Sequence, residues 1–432
     1  MLMLLAAASH RSSSPGWRSR DNIYIPLDDV PRSTKQSRIP LGASSTTATT
    51  VKQSGKSIDV WAAVETLHKC GDIDVPDIPA RAFVDGKGLT HMIVGATGFH
   101  RMNGASILMN GSATRECAYA WNQSMDANPA HFAGDEFLDS PIAFANGTVV
   151  ALIHTEYPGG VYNSTGPSPP MCPDGLKSYP QCWTVTIGLA VSHDFGMTWD
   201  HALKPPHHLV AAVPYRYNAS QLAYGWGDPS NIMQHPSDGF YYAAMWNRNQ
   251  VGLQAPGICM MRTNNLMDPR SWRGWGGAKK GYSQSFVSPY SGMKPGTEAE
   301  HVCVVTNLPA GTCIPIANKT RGCQAAGLAW STYLEKFVVT LGCGSAFKWA
   351  TSEDLITWSE PTAFALPHGL APNVSKMVSA MNYPTFMDPS VAESDRNYGT
   401  IGQKPYLFWA SIGHSPYTDG RHQWATPFEF KK

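Results

Sequence analysis

The feature that most constrains this chain is a two-stranded pattern that occurs five times. Each copy begins with an apolar stretch containing Pro or small residues, continues through a tight polar turn, and ends with a second apolar stretch. The turns lie near Gly86, Gly147, Gly239, Glu335 and Gly402, roughly 60 to 100 residues apart. A four-stranded propeller blade needs about 40 to 50 residues, so this spacing is typical of blades that carry insertions. The pattern predicts an all-β fold, a five-bladed β-propeller.

The individual stretches support this fold class. Alternating apolar residues recur, as in residues 183–192 and 336–342, whereas long helical periodicity is missing. The first strands are expected within residues 78–83, 138–144, 226–233, 326–330 and 382–388. The returning strands are expected within residues 86–94, 146–154, 238–246, 334–342 and 402–410.

Composition excludes several classes of partner. The 432 residues carry a net charge of +1 and no long run of Lys or Arg, so neither nucleic acid nor an anionic membrane is a predicted partner. No apolar stretch approaches the roughly 18 residues of a membrane span. Because 43% of the residues are hydrophobic, the chain can bury a large core. We expect a single propeller domain over residues 61–432, acting as a monomer.

Residues 1–60 differ from the rest of the chain. Eight apolar residues, MLMLLAAA, precede a segment rich in Ser, Arg, Pro and Thr. We expect a signal or low-complexity segment that is disordered or removed, because it has too few apolar groups to offset the entropy of ordering. An Arg- and Ser-rich, acid-poor start also fits an organellar transit peptide.

Two counts favour the secretory route. There are nine cysteines, and their spacing suits local disulfides: Cys172 and Cys182 bracket one loop, while Cys303, Cys313 and Cys323 recur through another. Seven Asn residues lie in glycosylation sequons: Asn110, Asn122, Asn146, Asn163, Asn218, Asn318 and Asn373. The sequence therefore predicts a secreted glycoprotein with disulfide bonds.

A second motif belongs to the outer part of the blades. Residues 192–199 read SHDFGMTW, and residues 351–358 read TSEDLITW, a degenerate copy. In the complete copy we expect Asp194 to accept backbone N–H bonds and Gly196 to take a positive φ, while Trp199 packs back into the blade. The motif therefore predicts a tight hairpin turn.

The complete copy matches the Asp box, S-x-D-x-G-x-T-W, and a third remnant ends at Trp272. The chain thus resembles the sialidase-like and five-bladed glycosidase propellers over roughly residues 70–425. The resemblance implies a carbohydrate-active propeller whose Asp box is a structural turn away from the active site.

The sialidase branch of that resemblance implies a six-bladed alternative with an arginine cluster and a Tyr nucleophile assisted by Glu. Arg81, Glu156, Arg248 and Tyr383 fall in a compatible order. The Phe-Arg-Ile-Pro opening of that family is absent, and five copies of the blade pattern are found, so we rank a sialidase below a generic glycosidase.

In a propeller the start of each first strand and the end of each second strand open onto the same mouth. Three carboxylates are expected there, Asp139, Glu156 and Asp228. Hydrolysis of a glycosidic bond needs one acid that protonates the leaving oxygen and one carboxylate that attacks or activates water. Glu156 ends an apolar strand, where burial would raise its pKa and suit it to the acid role. Asp139 and Asp228 are candidates for the base or nucleophile, an arrangement that resembles five-bladed furanosidase-type glycosidases.

Structural roles remain open for the same residues. Asp139 and Asp228 could cap the starts of their strands through backbone N–H bonds. Glu156 could form an ion pair with Arg101 or Arg248. The other residues expected at the mouth would orient the substrate: Arg81, Arg101, His154, Arg248 and Tyr383.

The sequence thus predicts a glycoside hydrolase-like propeller, with a non-catalytic propeller that binds glycan or protein as the alternative. No cofactor is predicted, although oxygen ligands at the mouth would suit a structural calcium ion. No metal site is predicted either, because the cysteines lack the spacing of zinc ligands and the adjacent His207 and His208 are not expected to bind one ion together.

Overall fold

Five β-sheets, here called blades 1 to 5 in chain order, make up the described part of the chain. The structure is a computed structural model. It describes residues 49–60, 76–94, 101–109, 113–116, 121, 126–159, 182–247, 249–290, 323–343, 346–364, 378–413 and 422–432. All of these residues belong to the unit Ala43–Lys432.

Twenty-five strands occur among the described residues. They are β1 (Thr50–Gln53), β2 (Ile58–Asp59), β3 (Arg81–Val84), β4 (Thr90–Ile93), β5 (Arg101–Gly104), β6 (Thr114–Glu116), β7 (Asp135–Ala143), β8 (Val149–Pro158), β9 (Trp183–Ser192), β10 (Asp200–His201), β11 (Leu209–Ala211), β12 (Tyr224–Gly225), β13 (Met233–Gln234), β14 (Tyr241–Asn247), β15 (Gly257–Thr263), β16 (Arg273–Trp275), β17 (Tyr282–Ser285), β18 (Gln324–Ser331), β19 (Lys336–Cys343), β20 (Ala346–Ser352), β21 (Thr362–Ala363), β22 (Val378–Met387), β23 (Thr400–Ile401), β24 (Tyr406–Gly413) and β25 (Gln423–Lys431). Three 3-10 turns accompany them, Pro129–His131, Pro269–Ser271 and Pro389–Val391. Among the described residues, no helix has the length and apolarity needed to cross a membrane.

Each predicted hairpin is present, and each sheet contains one of them. β3 pairs with β4, β7 with β8, β13 with β14, β18 with β19 and β22 with β24, always antiparallel. Blade 1 has the order β3-β4-β5-β6, blade 2 the order β7-β8-β9-β10, blade 3 the order β13-β14-β15-β16-β17 and blade 4 the order β18-β19-β20-β21. Within the described residues the prediction of a five-bladed propeller is confirmed, rather than the six-bladed alternative.

Blade 3 differs from the prediction in the length of its inner strand. Only Met233–Gln234 is a strand, although residues 226–233 were expected to form one. The reason is the backbone before it, because Asp228 has a φ of +31°, which is not compatible with extended strand geometry. This irregular segment brings Asp228 to the mouth.

Apolar side chains fill the spaces between neighbouring blades. Separate buried clusters lie between blades 1 and 2, 2 and 3, 3 and 4, 4 and 5, and 5 and 1. The cluster between blades 5 and 1 contains Phe408 and Ala425 together with Ala82 and Met92. A cluster at every interface means that the five sheets close into a ring, in which each blade buries both of its faces.

The N-terminal strands complete blade 5. β1 pairs with β25 as its outermost neighbour, with Thr50 opposite Lys431, and β2 pairs with β25 farther along. The sequence analysis assigned these residues to a separate region that ends at residue 60, so the propeller extends into that region. The rest of the expected signal or low-complexity segment, residues 1–48, lies outside the described residues.

The two Asp-box segments fold into similar turns. Asp194 accepts hydrogen bonds from the backbone N–H groups of Met197 (3.0 Å) and Thr198 (2.9 Å), and Gly196 has a φ of +77°. Trp199 is buried and donates its indole N–H to the carbonyl of Gly196 (3.0 Å), as predicted.

The degenerate copy is one residue shorter between its Asp and its Trp, and Leu355 takes the positive φ. Asp354 still accepts from the N–H groups of Ile356 and Thr357. The segment before Trp272 is different, because Asp268 caps the 3-10 turn Pro269–Ser271 there.

Disulfide bonds follow strand register rather than sequence spacing. Cys323, just before β18, bonds to Cys343 at the end of β19, and not to Cys303 or Cys313 as local pairing would require. Because β18 and β19 are antiparallel neighbours, these two cysteines meet although they are 20 residues apart in sequence. Cys182 and Cys259 are disulfide-bonded as well.

Replacing Asp194 tests the contribution of the complete turn. We expect Asp194→Ala to lower the free energy of unfolding by about 1–2 kcal/mol, because several N–H and O–H donors lose their acceptor. Burial opposes ionisation of Asp194, but the bonds from Thr198 and Ser192 outweigh it and lower the pKa of the carboxyl group. The contribution of the charge is therefore present above the ordinary Asp pKa of about 3.9 and is lost as the pH falls below it.

Denaturant unfolding of the wild type and Asp194→Ala at pH 7 and pH 3 measures this effect. Asp200→Ala is the matched control, since Asp200 is an exposed Asp nearby in β10. Its effect should stay within about 0.5 kcal/mol. Equal effects of the two substitutions would contradict the proposed role of the turn.

Candidate active site at the propeller mouth

A cavity lies at the mouth where the inner strands begin and the second strands end. It has a volume of about 630 Å³ and an open side. Every blade contributes to its wall, and the polar and aromatic residues of that wall are Asp77, His154, Glu156, Trp183, Tyr224, Asp228, Trp246, Gln324, Asn382 and Tyr383. Carboxylates next to aromatic rings are the combination that protein sites present to sugars, whose hydroxyl groups and apolar faces need both.

His154 connects two of the carboxylates. Alternation along β8 places His154 and Glu156 on one face, and His154 Nε2 lies 3.1 Å from Glu156 Oε1 and 3.6 Å from Asp228 Oδ1. The backbone N–H of Asp228 donates to His154 Nδ1 (3.1 Å), so the proton of the neutral ring is on Nε2. Burial opposes the charged imidazolium, but Asp228 and Glu156 outweigh it and raise the pKa of His154.

The same contacts limit the distance between the two carboxylates. Both approach one nitrogen, so Glu156 Oε1 and Asp228 Oδ1 are at most about 6.7 Å apart, the sum of 3.1 and 3.6 Å. Paired carboxylates in glycoside hydrolysis are separated by roughly 5 to 9.5 Å. Both groups face the cavity, with side-chain exposures of 26% for Glu156 and 16% for Asp228. They are close enough to act on one bond.

Asp228 is held by its neighbours in a backbone conformation that favours glycine. Its Oδ2 accepts from the side-chain amide of Gln324 (2.9 Å) and from the indole N–H of Trp246 (3.4 Å). The approach to this position depends on Gly225, because a Cβ there would lie 2.1 Å from the carbonyl oxygen of Val185 on β9. A positive φ at a non-Gly residue costs of order 1–3 kcal/mol and is common at functional sites.

A third carboxylate, Asp77, enters the wall from the segment before β3. The hydroxyl of Tyr383 donates to Asp77 Oδ1 (3.2 Å), and Tyr383 has a positive φ of 61°. Tyr383 was predicted to bind substrate, whereas Asp77 was missed. The signal was available, because Asp77 precedes an inner strand as Asp228 does, but the predicted strand pattern began at residue 78.

Asp135 lies behind Glu156. It begins β7 directly opposite Glu156 on β8, so both side chains project from the same face of blade 2. Burial and the neighbouring charge of Glu156 raise the pKa of Asp135 to about 7. Its Oδ1 has no hydrogen-bond partner among the described residues. The sequence analysis missed Asp135 because the cross-strand pairing depends on register.

Two residues predicted for the site belong instead to the interior. The Arg81 and Asp139 side chains are almost fully buried and form an ion pair, with Nε 3.1 Å from Oδ1. Burial raises the pKa of Asp139 to about 6, although the charge of Arg81 opposes this shift. Neither residue lines the mouth cavity. This corrects their assignment as catalytic and substrate-binding groups: each satisfies the other's charge away from the cavity.

The structure describes no contact of the other two arginines predicted for the site, Arg101 and Arg248. Arg101 begins β5, but its side chain lies outside the description, and Arg248 lies outside the described residues altogether. Glu156 pairs with His154. The alternative ion pair with Arg101 or Arg248 involves side chains outside the described residues. Of the predicted site residues, the structure brings together His154, Glu156, Asp228 and Tyr383 at the cavity.

Comparisons with known proteins concern the fold. The sequence matches no protein-family profile and no curated protein. Among solved structures, a glycosyl hydrolase from Bacteroides ovatus is similar with 9% identity and a TM-score of 0.44, over 82% of this chain and 85% of the other. The α-L-arabinofuranosidase from Lactobacillus brevis has 8% identity and a TM-score of 0.43, over 82% and 92%. The catalytic domain of the Coprinopsis cinerea GH62 α-L-arabinofuranosidase has 10% identity and a TM-score of 0.43, over 87% and 96%.

Proposed function

We propose that this protein is a carbohydrate-active propeller that hydrolyses a glycosidic bond at its mouth. The observation that supports this proposal best is the pair of cavity carboxylates, Glu156 and Asp228, both in contact with the His154 ring and at most about 6.7 Å apart. Retaining and inverting glycosidases both need two carboxyl groups at such short range. A sugar would lie between them, against Trp183 and Trp246.

Glu156 is assigned as the general acid. In the reaction its proton passes to the glycosidic oxygen as the bond to the anomeric carbon breaks, which neutralises the leaving group. Asp135 faces Glu156 across the strand pair, and burial and the charge of Glu156 raise the pKa of Asp135 to about 7. Asp135 therefore carries a proton in part of the molecules near neutral pH, and we assign it as a store of protons beside the general acid.

Asp228 is assigned as the base or nucleophile. The donors Gln324 and Trp246, together with the His154 ring, surround its carboxylate and hold it in place. It either takes a proton from a water molecule that adds to the anomeric carbon or attacks that carbon itself. Tyr383 keeps its predicted role of binding the sugar, and Asp77, joined to it by a hydrogen bond, is assigned the same role.

One observation favours a second candidate function, a glycan-binding propeller without turnover. Both oxygens of Asp228 lie near donors of the protein, 2.9 Å from the Gln324 amide and 3.6 Å from His154 Nε2. A carboxylate engaged in this way is less available to attack a carbon atom or to activate water. Activity measurements on matched variants separate the two functions.

We further propose that the protein works in an oxidising, secretory environment. The Cys323–Cys343 bond and the disulfide-bonded state of Cys182 and Cys259 support this, because disulfides persist where the glutathione system does not reduce them. Asn146, in one of the sequons, is exposed in the turn between β7 and β8 and so is accessible to glycosylation.

Glu156→Gln and Asp228→Asn should each lower kcat/KM for hydrolysis by a hundredfold or more, with sugar affinity retained within about threefold, because they remove a proton or a charge and keep the shape. The assay is sugar release from a panel of aryl glycosides and polysaccharides. Glu353→Gln, an exposed Glu on blade 4 paired with Lys336, is the control. Full activity of Glu156→Gln would remove Glu156 from the mechanism.

Trp183→Ala should weaken glycan binding about tenfold under either function, since a ring that stacks on a sugar is lost. Binding is measured by calorimetry on the Glu156→Gln background, where no turnover consumes the ligand. Trp330→Ala, which removes a half-buried Trp from a cavity lined by the other ends of the inner strands, is the control and should leave affinity unchanged. Binding without turnover by the wild type would favour the second function.

The raised pKa of Asp135 predicts a pH-dependent stability. An acid with a raised folded pKa stabilises the protein below its unfolded pKa of about 3.9 and loses that contribution as the pH rises through about 7. Asp135→Asn should therefore gain stability relative to the wild type between pH 4 and pH 8, by an amount on the order of 3 kcal/mol. The charges that act on Asp135 are those of Glu156, His154 and Asp77, together with that of Glu136 from the other face of the sheet.

Denaturant unfolding at several pH values measures this difference. Asp200→Asn is the control, because Asp200 is exposed and its substitution should give a difference that does not vary with pH. A constant difference between the wild type and Asp135→Asn would show that Asp135 is ionised throughout, and would remove it as a store of protons.

A further inference from the structure

The face of blade 2 opposite to the mouth cavity carries a cluster of metal-ligating side chains. Glu136 follows Asp135 on β7 and so projects from the other face of the sheet. His201 comes from β10, and His208 immediately precedes β11. One potential ligand atom from each of the three residues lies within 4.8 Å of the others.

The separations between the potential ligand atoms lie on either side of the value expected around a bound ion. Glu136 Oε1 lies 2.8 Å from His201 Nε2 and 3.7 Å from His208 Nε2. A tetrahedral ion with ligand bonds of about 2.1 Å separates neighbouring ligand atoms by roughly 3.4 Å. Small rotations of these side chains would therefore accommodate an ion between them.

The cluster is buried, unlike the surface acidic groups that often lie close together without an ion. The side chains of Glu136 and His208 are 0% exposed, and that of His201 is 17% exposed.

The backbone leaves space for His208. Leu209 pairs with Gly188 on β9, and a Cβ on Gly188 would lie 2.7 Å from His208 Cδ2 and 3.2 Å from its Nε2. The imidazole can therefore approach β9 this closely only because residue 188 is glycine. On its other side, Nε2 donates to the carbonyl of Phe132 (3.1 Å), a further oxygen within reach of the cluster.

Hydrogen bonding within the described residues does not fully satisfy the cluster. The Nδ1 atom of His208 is buried and has no partner there. Glu136 is a carboxylate whose side chain is 0% exposed, and burying its charge without compensation is costly. A cation would compensate that charge. It would bind His208 through Nε2, the nitrogen 3.7 Å from Glu136, so the ring proton would pass to Nδ1 and the bond to Phe132 would be lost.

We propose that Glu136, His201 and His208 bind one divalent transition-metal ion of the Zn²⁺ class. Two imidazoles and one carboxylate form a ligand set that such ions prefer over Ca²⁺ or Mg²⁺. The fourth position would be taken by water, which reaches the partly exposed His201 side, or by the Phe132 carbonyl. The adjacent pair considered from the sequence, His207 and His208, contributes only His208.

The ion would join parts of blade 2 that are far apart in the chain. It would connect Glu136, near the start of β7, with His201 on β10 and with His208 just before β11. Both β10 and β11 pair with β9. Since Asp135 precedes Glu136, fixing Glu136 also fixes the residue that faces Glu156 in the mouth cavity. The site is therefore structural, and it supports the cavity from behind.

The test uses the full-length secreted protein, freed of metal by a chelator and titrated with Co²⁺, whose visible absorption reports nitrogen and oxygen ligation. We expect saturation at one equivalent, displacement of Co²⁺ by Zn²⁺, and a higher thermal midpoint with either ion. Glu136→Gln and His201→Gln should each weaken binding at least tenfold. Gly188→Ala, which alters no ligand, should also weaken binding because it displaces His208.

His422→Gln is the matched control. His422 also pairs with a carboxylate, its Nδ1 lying 2.7 Å from Asp59 Oδ2, but it lies outside the three-residue cluster. It should retain one equivalent of Co²⁺ with unchanged affinity. Failure of the folded wild type to bind Co²⁺ or Zn²⁺ saturably would overturn the proposal whatever the variants do, as would equal binding by the wild type and Glu136→Gln. Neither result depends on sugar hydrolysis.

Discussion

The guanidinium of Arg81, buried near the propeller axis, is the interaction on which the mouth depends. Its Nε donates to Asp139 on blade 2 (3.1 Å), and its Nη2 donates to the carbonyl of Pro229 on blade 3 (3.0 Å). One side chain thus links the inner ends of three blades. Removing one partner from a buried ion pair costs about 3–5 kcal/mol, because the other charge is left without compensation. Asp228 directly precedes Pro229, so its position at the mouth depends on this link.

Blade 2 supplies chemistry to both of its faces. Successive residues of a strand point to opposite sides, so Asp135 faces Glu156 and the cavity, while Glu136 faces His201 and His208. Two acids next to each other in sequence therefore lie in different environments, Asp135 opposite Glu156 and Glu136 in contact with two histidines. A shift of one residue in the pairing of β7 with β8 would exchange the two acids and abolish both arrangements.

The hairpins of the fold could be predicted from the sequence because their signals are local: alternation within a strand and a turn residue such as Gly147 or Gly239. What could not be predicted depends on register or on distant contacts. Asp135 meets Glu156, and Cys323 meets Cys343, only once the antiparallel pairing is known.

The site residues show the same limit. His154, Glu156, Asp228 and Tyr383 were found because the propeller rule brings the ends of particular strands to one mouth. This rule predicts where the backbone of a residue lies, but it does not predict the direction in which the side chain points. Arg81 therefore turned out to be interior, since a buried carboxylate offers a charged group a better partner than the open cavity does.

The choice between hydrolysis and binding depends on the state of Asp228. Its backbone is held at a positive φ, and its side chain receives Gln324 and Trp246 on Oδ2. These contacts leave Oδ1 directed towards His154, whose Nδ1 is occupied by the backbone N–H of Asp228 itself. The ring cannot turn without losing that bond, so its Nε2 proton remains between Asp228 and Glu156. A sugar that moved the His154 N–H away from Asp228 would leave Asp228 Oδ1 available to a water molecule, as hydrolysis requires. A sugar that bound without moving the ring would leave both oxygens of Asp228 next to protein donors, as expected for binding alone.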